Sequence, residues 1–144
     1  MNNNKQLIIF ICTGNTCRSP MAEALFKNGL TADELEKIEV KSYGISTFGG
    51  DSAAENAIKA MKNQGIDISA HRSTPLNQYA VDNADLIVCM SRSHKAILSD
   101  LKVNDNRVIV LDISDPYGCD LKTYIDCADN IKQRLSAVYD RIRK

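Results

Sequence analysis

Apolar positions along the chain follow two alternating rhythms. Short, largely apolar runs at residues 7–11, 40–43, 85–90 and 107–111 read as strands, the first buried on both faces. Between them apolar residues recur every three or four positions. Residues 20–28 read as a helix, with Ser19 as N-cap and Pro20 at the first helical position, where a missing N–H does no harm. Thr31 and Glu34 have the spacing of a capping box. So do Ser52 and Glu55, which open a helix that Gly65 closes. Ser91 is placed to cap a helix over residues 92–101. The last helix is the clearest, with Leu121, Tyr124, Ile125, Ala128, Ile131, Leu135, Val138, Tyr139 and Ile142 recurring at intervals of three and four. No repeat, low-complexity tract or flexible linker interrupts the pattern. It predicts a single domain over residues 1–144, an α/β three-layer sandwich in which helices flank a four-stranded parallel sheet. Such sheets bind ligands beyond the carboxyl ends of their strands, beside helix N-termini.

Composition narrows the chemistry. Of 144 residues, 18 are basic and 18 acidic, so the formal charge is zero. No global basic field exists to hold nucleic acid or an anionic membrane, so neither is expected as a partner and any anion site must be local. The residues before the first strand are polar, and the apolar run at 7–12 is too short for a signal-peptide core or a membrane span. A cytoplasmic location is expected. The five cysteines, Cys12, Cys17, Cys89, Cys119 and Cys127, are odd in number, which argues against a disulfide framework. With no Cys-x-x-Cys and only His71 and His94, no metal or other cofactor is expected. Cys89, inside an apolar run, reads as a small core residue. Cys12 requires another explanation.

Cys12 ends the first strand and opens Cys12-Thr13-Gly14-Asn15-Thr16-Cys17-Arg18-Ser19. A tight loop closing on a helix N-terminus can gather its backbone N–H groups around a tetrahedral oxyanion. Gly14 and Asn15 tolerate the left-handed backbone such a nest uses. Arg18 can fork onto two oxygens, which a lysine cannot. At the floor of the cup, amides, helix dipole and Arg18 all favour a thiolate, which is the nucleophile. The Ser19 hydroxyl is placed to donate to that sulfur. With seven arginines and seventeen Ser or Thr in the chain, a Cys-x5-Arg-[Ser/Thr] match by chance is roughly a 3% event. The bland reading, a buried cysteine beside a solvated arginine, is therefore set aside. No Gly-Lys-[Ser/Thr] follows, so the loop is not a nucleotide site of the Walker type.

Displacement at phosphorus needs an acid for the leaving group. A carboxyl beside a thiolate and a phosphate dianion is disfavoured as an anion, and so can keep a proton. The candidate is Asp115, in Asp115-Pro116-Tyr117-Gly118, a sequence that taken alone reads equally well as turn chemistry.

These residues resemble the low-molecular-weight protein tyrosine phosphatase family. The resemblance spans the chain and rests on the run from Cys12 to Glu23, the strand segment 84–90, and Asp115-Pro116-Tyr117. It implies a flavodoxin-like fold and a protein phosphatase that hydrolyses phosphotyrosine or phosphoarginine through a phosphocysteine. Cys12 would attack phosphorus, the Arg18 side chain and the amides of Thr13, Gly14, Asn15, Thr16, Cys17 and Arg18 would hold its oxygens, and Asp115 would act as acid and then base. Ser42 and His71 match the family's serine and histidine that hold the loop asparagine. Cys17 matches a second loop cysteine that can pair with the nucleophile under oxidation. Phe48 and Tyr117 are candidate walls of the substrate cleft. Thr16, the segment 71–76, the His94-Lys95 pair and Gly118 are more similar to the bacterial branch that acts on phosphoarginine. A threonine hydroxyl beside the nucleophile can hydrogen-bond a guanidinium, where an aliphatic residue leaves a dry slot for a phenol.

Two other readings compete. A thiol-dependent arsenate reductase shares the loop, but needs two further cysteines after the third strand. Cys89 lies within that strand, and the next cysteine is Cys119. A non-catalytic phosphoprotein-binding module would need a dead site, yet Cys12, Arg18 and Asp115 are all present.

Overall fold

A computed structural model describes residues 5–144; the polar residues 1–4 lie outside the described residues. The chain runs β1 (Gln6–Cys12), α1 (Arg18–Asn28), α2 (Ala32–Lys37), β2 (Ile38–Gly44), α3 (Glu55–Lys62), α4 (Gln78–Asn83), β3 (Leu86–Cys89), α5 (Arg92–Asp100), β4 (Val108–Val110), α6 (Leu121–Arg134) and α7 (Ser136–Ile142). All strand pairs are parallel, in the order β2-β1-β3-β4.

Side chains alternate across a strand, and β1 is apolar at every inner position, so it feeds two cores. Ile8, Phe10 and Cys12 face one side, with Met21, Phe26, Met61, Tyr124 and Ile131 from the helices α1, α3 and α6. Ile9 and Ile11 face the other, with Ala80, Val81 and Leu98 from around α4 and α5. Helices thus cover both faces, giving the three-layer α/β sandwich.

Strand order creates the site. From β1 the chain goes to β2 on one side, and later returns as β3 on the other. The connections leaving β1 and β3 diverge, opening a crevice at their carboxyl ends. The loop from residue 12 to 19 fills that crevice, with the N-terminus of α5 as its neighbour.

Several boundaries differ from the sequence-based expectation. Helix α1 starts at Arg18, with Cys17 at the N-cap and no side-chain cap. Ser19 lies inside the helix, its hydroxyl bonded to Cys12 and Asn15 instead. Helix α3 starts at Glu55 behind Ala54, also uncapped, because Ser52 is drawn into a bridge with Arg72. Helix α4, capped by the Asn77 side chain, has no counterpart in the apolar pattern of the sequence; it is six residues long, too short for a periodic signal. The last helix divides at Leu135, which keeps a helical φ of −64° and ψ of −15°. Its apolar row therefore continues through Val138. The Thr31–Glu34 capping box forms as read.

Candidate active site

The loop after β1 is fixed through its carbonyls. Those of Cys12, Thr13 and Thr16 accept from the amides of Ile45, Ser46 and Ala54, and that of Cys17 from Met21. The amides of Gly14, Asn15, Thr16 and Cys17 have no backbone or side-chain acceptor among the described residues. Peptide groups whose carbonyls are engaged and whose N–H groups are free make an anion-binding nest, and the first turn of α1 adds its dipole.

Asn15 sets the shape of this nest. It is completely buried and takes φ 57°, the left-handed region. That conformation costs an L-residue roughly 1–2 kcal/mol. Three side-chain hydrogen bonds, at about 1 kcal/mol each, offset it. Asn15 Nδ2 donates to Ser19 Oγ at 2.7 Å and to Ser42 Oγ at 3.0 Å, and Oδ1 accepts from the Thr74 amide at 2.9 Å. The Thr74 N–H can only donate, so it fixes the orientation of the amide. Ser42 passes the chain on, donating to Glu23 Oε1 at 2.7 Å. Its counterpart Ser19 lies 2.9 Å from Cys12 Sγ. Because Asn15 donates to the Ser19 oxygen, the Ser19 proton is available to the sulfur. His71 Nε2 lies 2.7 Å from the Asn15 carbonyl oxygen. Gly14 does not adopt a left-handed φ; Asn15 alone supplies that turn.

Arg18 is 5% exposed. Its Nη1 donates to the Ile113 carbonyl at 3.0 Å, and Nη2 lies 3.6 Å from Asp115 Oδ2. Nε is buried and has no hydrogen-bond partner among the described residues. A buried donor without an acceptor costs about 1–3 kcal/mol, a cost that an anion in the cup would remove. Asp115 sits on the loop after β4 and accepts from the Tyr117 amide through Oδ1 at 3.1 Å. A cavity of about 230 Å³ is lined by Cys12, Thr13, Gly14, Thr16, Cys17, Arg18, Asp115 and Tyr117. It leads into a wider cleft that shares Gly14, Thr16 and Tyr117 and adds Phe48 and Asp51. Phe48 is fully exposed at its rim.

The cysteines differ in environment, and all five are free thiols. Burial pushes Cys89 and Cys127 up to about 12. Burial also raises Cys17, against the pull of the Tyr124 hydroxyl 3.3 Å away. These three thiols are held as poor nucleophiles, whereas Cys12 shares its cavity with the Arg18 guanidinium.

The structure brings together every loop residue singled out from sequence, with Asp115, Ser42, His71, Tyr117 and Phe48 around them. Sequence reasoning treats His94 only as a feature of one branch, but its ring reaches Thr13 Oγ1 at 3.1 Å. The signal lay in topology: α5 follows β3, the strand next to β1 on the far side of the crevice.

The comparisons agree with this geometry. The family described as low molecular weight phosphotyrosine protein phosphatase matches residues 7–144. The protein-arginine-phosphatase of Bacillus subtilis is 33% identical over 147 residues, covering 95% of this chain and 97% of that protein. A solved arginine phosphatase mutant with a phosphorylated active site serine has a TM-score of 0.85 at 32% identity, covering 96% of this chain and 97% of that one. An arsenate reductase of Bacillus cereus is 36% identical over 132 residues, covering 92% of each chain. On sequence and fold alike, this chain belongs to the low-molecular-weight phosphotyrosine protein phosphatase family.

Proposed function

We propose that this chain is a cysteine-dependent protein phosphatase working through a phosphocysteine, with phosphoarginine preferred over phosphotyrosine. One observation carries the reaction: Arg18, whose buried Nε has no hydrogen-bond partner among the described residues, lines the same cavity as Cys12 and Asp115. In this reading the phosphoryl group sits in the nest, held by the free loop amides and Arg18. The Cys12 thiolate attacks phosphorus while the P–N or P–O bond breaks, and Asp115 gives its proton to the departing nitrogen or oxygen. A water molecule then loses a proton to the Asp115 carboxylate and attacks the phosphocysteine. The S–P bond breaks, inorganic phosphate leaves, and Cys12 returns to the thiolate stabilised by Ser19.

Thr16 supports the substrate preference. It lines both the cup and the outer cleft, so its hydroxyl is placed to meet whatever group carries the phosphoryl. Among the relatives, the Bacillus subtilis protein, a protein-arginine-phosphatase, supports the same preference. The arsenate reductase reading lacks its thiol relay: Cys89 is fully buried in β3, and Cys119 stands on the acid loop. The partner is a phosphorylated protein, with no role for nucleic acid. A nucleophilic thiol suits the reducing cytoplasm; no helix among the described residues is long and apolar enough to cross a membrane.

The test is kcat/KM on phosphoarginine and phosphotyrosine peptides for wild type, Cys12→Ser and Thr16→Ile. Cys12→Ser is expected to lose turnover and retain phosphate binding. Thr16→Ile is expected to shift preference towards phosphotyrosine. Turnover retained in Cys12→Ser overturns the mechanism, and an unchanged preference in Thr16→Ile overturns the substrate assignment.

A further inference from the structure

His94 is a buried imidazole, 2% exposed, in the first turn of α5. Its two ring nitrogens have different partners. Nδ1 lies 3.1 Å from the Ser91 amide and 3.1 Å from Ser91 Oγ. A backbone N–H can only donate, so Nδ1 is an acceptor and carries no proton. In the neutral ring the proton is therefore on Nε2, which points at Thr13 Oγ1 3.1 Å away. Thr13 receives that hydrogen bond on its oxygen, which leaves its own hydroxyl proton unclaimed. Thr13 lines the cavity of Cys12 and Arg18. The ring also stays neutral: burial disfavours the imidazolium, Arg18 adds to that, and only Asp115 opposes it, leaving His94 down at about 4.

We propose that His94 is a positioning residue of the reaction, whose Nε2–H···Oγ1 hydrogen bond turns the Thr13 hydroxyl into a proton donor aimed at the anion cup. The inference rests on the phosphatase reading for its turnover readout. Two features favour this role over that of a helix cap alone. The cap needs only Nδ1, yet Nε2 is also engaged, and with the adjoining loop. Finally, His94 joins the two connections that diverge at the switch point, the place where a contact between them shapes the ligand site.

The test uses the intact chain with His94→Ala, His94→Gln, Thr13→Val, Thr13→Ser and the double His94→Ala/Thr13→Val. Two readouts are needed: kcat/KM on para-nitrophenyl phosphate, and protection of Cys12 by inorganic phosphate against alkylation by iodoacetate. His94→Ala and Thr13→Val are each expected to lose about ten- to a hundredfold in kcat/KM and to weaken phosphate protection in parallel. The double variant is expected to lose no more than the worse single one, because both remove the same donor. Thr13→Ser should recover most of the loss seen in Thr13→Val, and His94→Gln, which keeps an N–H, should retain more than His94→Ala. Additive losses, or His94→Ala with wild-type turnover and wild-type phosphate protection, overturn the proposal. A helix cap alone would lower the melting temperature of His94→Ala and leave phosphate protection intact. If His94→Ala does not fold, His94→Gln and Thr13→Val decide by the same two readouts. Absent turnover in wild type would overturn the phosphatase reading, while the alkylation readout would still decide whether His94 acts through Thr13.

Discussion

His71 Nε2 lies 2.7 Å from the carbonyl oxygen of Asn15, the loop residue held at φ 57°. A carbonyl only accepts, so Nε2 carries the proton. His71 thereby fixes the backbone of a residue whose side chain is already bonded to Ser19, Ser42 and Thr74. Four hydrogen bonds converge on one strained position, and through Ser19 the arrangement reaches the Cys12 sulfur.

Asn15→Ala and Asn15→Gly separate backbone from side chain at this position. Alanine loses the side-chain bonds and disfavours the left-handed φ. Glycine loses the same bonds with no conformational penalty. Both are expected to be destabilised by about 2–4 kcal/mol in urea unfolding, since the Thr74 N–H and two serines lose partners. Glycine should be the milder. Both should lose turnover by tenfold or more. Recovery of full activity in Asn15→Gly would show that only the backbone conformation matters.

Gly44 stands opposite Cys12 in the β1–β2 register and touches the loop from outside. A Cβ there would lie 2.9 Å from Asn15 Cβ, 2.9 Å from Thr47 Cγ2 and 3.0 Å from the Gly14 carbonyl carbon. Backbone on one side and a fixed Asn15 on the other leave little room to yield. Gly44→Ala is therefore expected to displace the loop, with at least a tenfold fall in kcat and weaker phosphate inhibition. The control is Gly65→Ala, at φ 76° with open space around it. It should cost about 1 kcal/mol of stability from backbone strain, with turnover unchanged. Equal activity in both variants would show that the loop tolerates the contact.

Much of this was legible in the sequence, for identifiable reasons. The unbroken apolar run of β1 reads as a strand buried on both faces, and the Cys12-to-Ser19 segment joins it to a helix. Ser19 and Ser52 are ordinary N-cap residues, yet neither caps a helix. The Ser19 hydroxyl, which the sequence also places beside the Cys12 sulfur, is taken by Cys12 and Asn15 within its own loop, and the Ser52 backbone pairs with that of Arg72. Local spacing does not reveal a partner that arrives from about 20 or 80 residues away. His94 was obscured for the same reason, since its contact with Thr13 exists only because β3 pairs with β1.

The buried neutral His94 makes stability depend on pH. Burial and Arg18 lower it from 6.5 to about 4, so between these values the unfolded chain binds a proton that the folded chain does not. Stability therefore rises with pH through this window, and is lost as pH falls from about 6.5 to about 4. At roughly 1.4 kcal/mol per pH decade, the contribution is about 3 kcal/mol. Urea midpoints measured from pH 7.5 down to 4.5 should fall in wild type and fall less in His94→Gln. Identical slopes in the two proteins would remove His94 as the cause.

Asp115 is assigned as the acid, and the assignment has a graded consequence. Its carboxyl lies 3.6 Å from Arg18 and lines the cavity of Cys12, close to where a leaving group departs. The benefit of protonating that group grows with its basicity. Arginine leaves as a guanidine whose conjugate acid has a pKa of about 12.5–13.8, tyrosine as a phenol near 10, and para-nitrophenol as a stabilised anion. Asp115→Asn keeps the shape of the side chain and removes its acid. Its kcat/KM is expected to fall furthest on a phosphoarginine peptide, by roughly a hundred- to ten-thousandfold, less on phosphotyrosine, and least on para-nitrophenyl phosphate. Phosphate binding should persist, since the nest and Arg18 remain. Equal losses on all three substrates would mean that Asp115 shapes the site without protonating the leaving group, and the acid would have to be sought elsewhere around the Cys12 cavity.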